Sequence, residues 1–249
     1  MSNTIRLTMA QALARFLTLQ KTVIEGRTLP LFGGVFAIFG HGNVAGFGEA
    51  LYQVRDELPT FRAHNEQTMA HAAIGFGKAN FRRRMMAVTS SIGPGATNMV
   101  TAAALAHVNR IPLLLLPGDV FANRAPDPVL QQVESFGDGT VSANDVFRPV
   151  SRYFDRITRP EQIISALNRA MQVLTDPAEC GPVTLSLCQD VQAEAFDYPT
   201  AMFEERVWTP RRPQPDANEL KAAIAAIRAA EKPVIIAGGG VLYSEASAT

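Results

Sequence analysis

The stretch FRAHNEQTMAHAA, residues 61–73, holds one acid at the head of a run of small apolar residues. Glu66 stands between Asn65 and Gln67, and Met69, Ala70, Ala72 and Ala73 follow. The run reads as a packed helix, Glu66 to Ala79, with Asn65 as its cap. An acid in the first helical turn is favoured by the helix dipole by ~0.3–1 kcal/mol, which alone could account for it. A packed helix asks more of the carboxylate, because an unpaired buried charge is costly. Glu66 is therefore a candidate to meet a ligand, and the small residues beside it would let a backbone or a flat ring come close.

Three further stretches could do chemistry. GHGNVAG, residues 40–46, resembles a nucleotide loop. Its third glycine comes one position too late for the dinucleotide fingerprint, and no acid ends the next strand. His41 in that loop is either a proton donor or an ordinary turn histidine. GPGATN, residues 93–98, could aim backbone N–H groups at an anion or a polar ring. It lacks the lysine and hydroxyl of a P-loop, and a tight strand-to-helix turn also explains it. Gly137-Asp138-Gly139 invites comparison with a metal and diphosphate motif, but Asn144 follows too soon and no clean strand precedes it; that reading is rejected. Cys180 and Cys188 have no histidine nearby and read as free, semi-buried thiols.

These residues need elements to hold them. The spacing of Met9, Ala12, Leu13, Phe16 and Leu17 predicts a helix over 8–19, with Thr8 as a possible cap. Val35 to Phe39 is a continuous apolar run, as in a strand buried on both faces. A helix follows over 44–57, then a short strand over 60–62. The pattern repeats: a strand at 85–89, an alanine-rich helix at 96–108, a strand at 111–116, a loop from Gly118 to Asn144, a helix at 160–174 and a strand at 183–187. Such alternation predicts an α/β fold, a parallel sheet with helices on both faces. Its ligand site would lie at the carboxyl ends of the strands. The loops there are GHGN, the turn before Glu66, and SSIGPGATN. The expected organisation is a first domain over 1–195, a Pro-rich linker over 196–216, and the incomplete beginning of a second α/β domain over 217–249. That tail reads as a helix at 218–230, a strand at 233–237 and a glycine turn at 238–240. One such pair cannot bury its own faces, so the polypeptide is expected to continue or to pack on something else.

Composition bounds the alternatives. With 249 residues, 47% hydrophobic and only 18% charged, the chain is too apolar for disorder. Zero formal charge argues against nucleic acid and a membrane surface. The uninterrupted apolar run Leu113 to Leu116 is too short to span a bilayer. No signal-peptide core is present, and a cytoplasmic setting is expected.

Together the pieces resemble the pyrimidine-binding domain of thiamine-diphosphate enzymes of the acetolactate synthase and pyruvate oxidase type. The resemblance runs through the Gly-rich strand end, the glutamate opening a small-residue helix, TSSIGPGATN, IPLLLLPGD and GPVTLSL; KPVIIAGGG looks like the start of that family's middle domain. FGHGNVAGFGEAL, residues 39–51, and RAPDPVLQQVESFGDGTVSANDVF, residues 124–147, are similar to a branch that hydrolyses a cyclic 1,2-diketone in myo-inositol catabolism.

The resemblance implies that Glu66 hydrogen-bonds a ring nitrogen of the cofactor's aminopyrimidine and relays a proton. It implies cofactor contacts at Gly40, Ser91, Pro94, Asn98 and Gln131, and polar contact with a small-molecule substrate at His41, Asn43 and Gln131. An extra residue before GPG leaves Ser90 and Ser91 as alternatives, and LQQ leaves Gln131 and Gln132. The implied reaction is hydrolysis of the bond between two carbonyls, giving a deoxy sugar acid. An acetolactate synthase-like or 2-oxo-acid decarboxylase activity, or a non-catalytic nucleotide-binding module, remain as alternatives. No metal ligand is expected in this chain; magnesium and the diphosphate would be held by a further C-terminal domain. A second copy of the chain, in a homodimer or tetramer, is expected against the two small-residue helices at Ala70, Ala72, Ala73, Gly75, Ala102, Ala103, Ala104 and Ala106. Ordinary packing within one chain is the alternative for that stripe.

Overall fold

The computed structural model describes residues 3–247. The four terminal residues, at the outer ends of the expected first domain and tail, lie outside the described residues. The chain divides into two units, Met1–Thr209 and Pro210–Thr249.

In the first unit the elements run β1 (Thr4–Thr8), α1 (Met9–Thr18), β2 (Gln20–Ile24), β3 (Arg27–Pro30), β4 (Phe32–Ile38), β5 (Thr60–Arg62), α2 (Glu66–Ala79), β6 (Met85–Ser90), α3 (Val100–Asn109), β7 (Leu113–Asp119), β8 (Tyr153–Ile157), α4 (Gln162–Leu174), β9 (Pro182–Cys188), β10 (Ala195–Pro199) and β11 (Arg206–Trp208). Six strands form one sheet in the order β5-β4-β6-β7-β9-β8, and every pairing in it is parallel. The expected fold class is the observed one.

Every residue of β6, β7 and β9 is buried, Thr184 and Ser186 of β9 included, whereas β4, read as a strand buried on both faces, alternates buried with half-buried residues because only the exposed β5 lies beyond it. Met85, Ala87, Leu114, Leu116, Val183, Leu185 and Leu187 join α1 and α4 in one core cluster. The intervening Met86, Val88, Leu113 and Leu115 are buried too, and α2 packs across β4, β6 and β7. The two edge strands are short or charged. β5 is exposed throughout, and β8 carries Asp155 and Arg156, which discourages pairing with another edge.

Several elements differ from expectation. β1 pairs with β10, and β2 pairs with β3 and β11 in two small side sheets. Residues 195–208, largely expected as linker, thus belong to the first unit. Tyr198 is fully buried, and its hydroxyl donates to the Pro160 carbonyl at 3.0 Å. A buried aromatic with a satisfied hydroxyl anchors β10 firmly. The alanine-rich helix is broken: a single turn, Pro94–Thr97, precedes α3.

In the second unit a helix, Ala217–Ala229, is capped by Asp216, whose carboxylate accepts from the N–H groups of Asn218 and Glu219. The expected strand at 233–237 does not form. Val234, Ile235 and Ile236 are 88%, 79% and 93% exposed. A strand needs a neighbour for its ladder, and none pairs with it among the described residues. The glycine turn at 238–240 opens a short helix, Gly239–Tyr243.

Both cysteines are free and buried. Burial pushes the Cys188 thiol up to about 12, and the neighbouring Asp119 adds to the rise; burial raises Cys180 as well. The stability tied to a protonated Cys188 is fully present below its ordinary value of 9.0 and is lost as pH rises toward about 12. At pH 8 the native protein should therefore stay unreactive toward a thiol-specific disulfide reagent, with labelling only on unfolding. Rapid native labelling of either cysteine would contradict the burial.

Candidate active site

β4 sends the chain outward to β5 on one side, while β6 lies on its other side. The connections leaving β4 and β6 therefore diverge, and a crevice opens at the carboxyl edge between them. Such a reversal point is where open α/β sheets bind ligands.

GHGN is not a loop. Gly40–Asn43 is already a helical turn, continued by a wider π-type turn at Val44–Gly48 and a short helix at Glu49–Gln53. The expected helix thus begins at Gly40 and ends at Gln53. Its glycines permit close crossings of protein on protein. Gly40 has φ +50°, and a Cβ there would lie 2.5 Å from the Ser91 side chain. A Cβ on Gly46 would meet Gln192 at 2.5 Å. This packing explains a glycine spacing that misses the nucleotide fingerprint.

Asn43, expected as a substrate contact, is fully buried instead. Its amide nitrogen donates to Thr89 Oγ1 at 2.7 Å and the Ser90 carbonyl at 2.8 Å, and reaches the Leu116 carbonyl at 3.4 Å. Its oxygen accepts from Gln192 Nε2 at 2.9 Å. With its hydrogen bonding committed to β6, β7 and the turn after β9, the side chain fastens the site rather than reaching into it.

Glu66 opens α2 as expected. Asn65 Oδ1 accepts from the Thr68 N–H at 2.9 Å. Glu66 is half-buried, and its Oε2 accepts from Asn98 Nδ2 at 2.8 Å. Its Oε1 has no partner among the described residues and lies 3.3 Å from where a Cβ on Gly95 would stand. The acid is held at one oxygen and open at the other, beside a residue with no side chain.

The SSIGPG turn supplies the adjoining wall. Ser91 is buried, and its Oγ donates to Gln131 Oε1 at 3.2 Å. Gln131 has φ +62°, and a Cβ on Gly93 would run into its carbonyl oxygen. Ser90 instead donates to the Ser91 carbonyl, and the Gln132 side chain is spent on Asp127 and the Val129 N–H. The pair that meets is therefore Ser91 with Gln131. Pro94 is exposed at the start of its turn.

His41 is half-buried, and its Nε2 is buried without a hydrogen-bond partner among the described residues. So is Gln189 Nε2, which lies 3.4 Å from where a Cβ on Gly42 would stand. No hydrogen bond among the described residues joins His41 to Glu66, Asn98, Ser91 or Gln131. Gln189, Gln192 and Asp119 went unnoticed in the sequence; their one signal is being polar at the carboxyl end of an apolar strand. Asp138 of Gly137-Asp138-Gly139 is engaged with Thr140, whose side-chain and backbone hydrogen bonds lower its pKa. No cluster of three His, Cys, Asp or Glu able to hold a metal occurs among the described residues, nor does a helix long and apolar enough to cross a membrane.

Residues 34–137 match the family model described as thiamine pyrophosphate enzyme, N-terminal TPP binding domain, a span that runs from β4 through Gln131. More particularly, the chain is similar to 3D-(3,5/4)-trihydroxycyclohexane-1,2-dione hydrolases. It is 54% identical over 245 residues to that of Geobacillus thermodenitrificans, covering 98% of this chain and 38% of the relative. It is 52% identical over 246 residues to that of Bacillus velezensis, covering 99% and 39%. With the Lacticaseibacillus casei protein of the same name the identity is 51% over 245 residues, covering 98% and 38%. The chain thus spans well under half the length of these relatives.

Asn43→Ala should cost about 2 kcal/mol or more, because it removes the buried hydrogen bonds to Thr89, the Ser90 carbonyl and Gln192 together and leaves a void where the amide stood. Urea unfolding checks this; a change below about 0.5 kcal/mol, the range of ordinary surface substitutions, would contradict the fastening role.

Proposed function

We propose that this chain is the pyrimidine-binding part of a cytoplasmic, thiamine-diphosphate-dependent hydrolase that cleaves the ring of trihydroxycyclohexane-1,2-dione between its two carbonyls. The observation that carries the reading is the Glu66 carboxylate, held by Asn98 at Oε2 and open at Oε1 beside Gly95. The substrate is taken from the names of the relatives.

The residues present fit an aminopyrimidine ring. An open carboxylate oxygen borders a glycine whose Cβ would crowd it, and a buried serine and a glutamine wall the next turn. Glu66 Oε1 would hold the proton shared with a ring nitrogen. Asn98 fixes the carboxylate so that Oε1 faces the ligand, and Gly95 lets the ring approach. Ser91 and Gln131 bound the site, with Gln131 and His41 as polar contacts for ligand; Gly40 brings the β4 turn against Ser91. When bound, the cofactor supplies an acidic carbon that adds to a carbonyl and acts as electron sink. The diphosphate and magnesium would be held by groups outside this crevice, since no cluster able to hold a metal occurs among the described residues.

A second copy of the chain is the proposed partner, in a homodimer or tetramer. Its contact surface differs from the expected stripe. Ala70, Ala73, Ala102, Ala103 and Ala106 are already buried within the chain, where α2 and α3 pack together. Ala72, Gly75, Leu105 and Val108 remain exposed and are the residues offered to the partner.

Glu66→Gln in the full-length protein should lower kcat by ~10²–10⁴-fold with the fold intact, as for removal of a general acid–base group. Steady-state ring cleavage with saturating cofactor and magnesium measures it. Turnover within about threefold of wild type would overturn the assignment, since a loss that small falls far short of an acid–base group.

A further inference from the structure

The segment between β7 and the 3-10 turn at Ala143–Val150 carries Gln131. Both of its ends meet on a single oxygen. The Val120 N–H and the Ser142 hydroxyl each donate to Asp119 Oδ1 at 2.8 Å. The other oxygen, Oδ2, accepts from Arg156 Nε of β8 at 2.8 Å and from Ser186 Oγ of β9. Asp119 is 1% exposed. Ser142 also accepts from the Asn144 N–H, and Asn144 Nδ2 donates to the Gly118 carbonyl and Ser186 Oγ.

Between its ends the segment has few ties to the body of the unit. Asp190 accepts from the N–H groups of Ala122 and Asn123. Ser91 reaches Gln131, which sits in a left-handed conformation against Gly93. Leu130 and Phe136 are 70% and 72% exposed. A segment so lightly packed is held mainly by its base.

We propose that Asp119 is a positioning residue: it clasps the base of this segment and thereby sets Gln131 against Ser91 and Gly93 at the ligand crevice. The inference rests on the reading of Gln131 as a residue of that site. The clasp is strong because one buried carboxylate accepts from a guanidinium, two hydroxyls and a backbone N–H, and charge-assisted bonds are about twice as strong as neutral ones. Asp119→Asn keeps the shape but removes the charge, places an N–H₂ among donors, and leaves Arg156 without its counter-ion.

The test uses the full-length protein. Arg124 is exposed within the segment and is a tryptic site. Asp119→Asn should speed cleavage after Arg124 by on the order of tenfold or more, as local opening becomes cheaper by about 1.4 kcal/mol. KM for the diketone should rise several-fold with a smaller change in kcat, while far-UV circular dichroism stays as in wild type. Ser142→Ala, which removes one tether and keeps the charge, should move both readouts the same way by less. Unchanged cleavage and unchanged KM in a folded Asp119→Asn protein would overturn the proposal. Faster cleavage with unchanged KM would also overturn the positioning role, leaving the enzymatic reading intact. A wild-type protein that cleaves no diketone would refute that reading, and with it the positioning role, while proteolysis still reported on the clasp.

Discussion

The Asn43 side chain is the fastening on which the site depends. A parallel sheet leaves its carboxyl edge as a row of separate loop starts, and nothing in the strand ladder aligns them. Asn43, on the turn after β4, reaches the last residues of β6 and a carbonyl of β7, and takes Gln192 from beyond β9. One amide thus joins connections that are distant in sequence. Its complete burial makes the set of bonds costly to lose, because net hydrogen bonds of this kind contribute about 0.5–1.5 kcal/mol each and no water replaces them there. The glycines follow from this tightness: where the β4 turn is drawn onto the β6 loop, Gly40 meets Ser91 with no room for a Cβ.

Once the β4 and β6 connections are fixed together, the acid can be placed between them. β5 is a short edge strand, so the chain turns back quickly and Asn65 caps α2 at the crevice. Asn98 then anchors Glu66 from the β6 side. The carboxylate is therefore braced from two elements, which is what a proton-relaying group needs if its open oxygen is to stay aimed. The same economy of side chains leaves space beside it at Gly95. On the far side, Asp119 closes the base of the segment that brings Gln131 to Ser91.

Much of this could be read from residues alone, for identifiable reasons. β4, β6 and β7 announce themselves through apolar runs of four or five residues, while β9 is marked by Val183, Leu185 and Leu187 alternating with Thr184 and Ser186. Asn65 and Glu66 are legible because a cap and a first-turn acid are local signals. β8 was hidden by the charges of Asp155 and Arg156, which an edge strand tolerates. β1, β2, β10 and β11 were hidden because they are half-exposed and pair across nearly the whole unit, as in Thr4 with Pro199. Asn43 was read as reaching for a ligand because residue type does not reveal whether an amide turns inward. Five alanines of the small-residue stripe were assigned to a second copy because close packing looks the same in sequence whichever chain provides the partner. The segment 233–237 has the apolar run of a strand but no neighbour among the described residues to make it one.

The central claim is that the open oxygen of Glu66 moves a proton for a bound aminopyrimidine. The most direct measurement is the rate of hydrogen–deuterium exchange at the thiazolium carbon of thiamine diphosphate bound to the full-length protein, read by rapid-quench NMR. It isolates proton removal from every later step. Glu66→Gln should slow that exchange by ~10²-fold or more, the typical contribution of a placed acid–base group, with cofactor still bound. Exchange as fast as in wild type would show that Glu66 does not relay the proton, and the account of this crevice would fall.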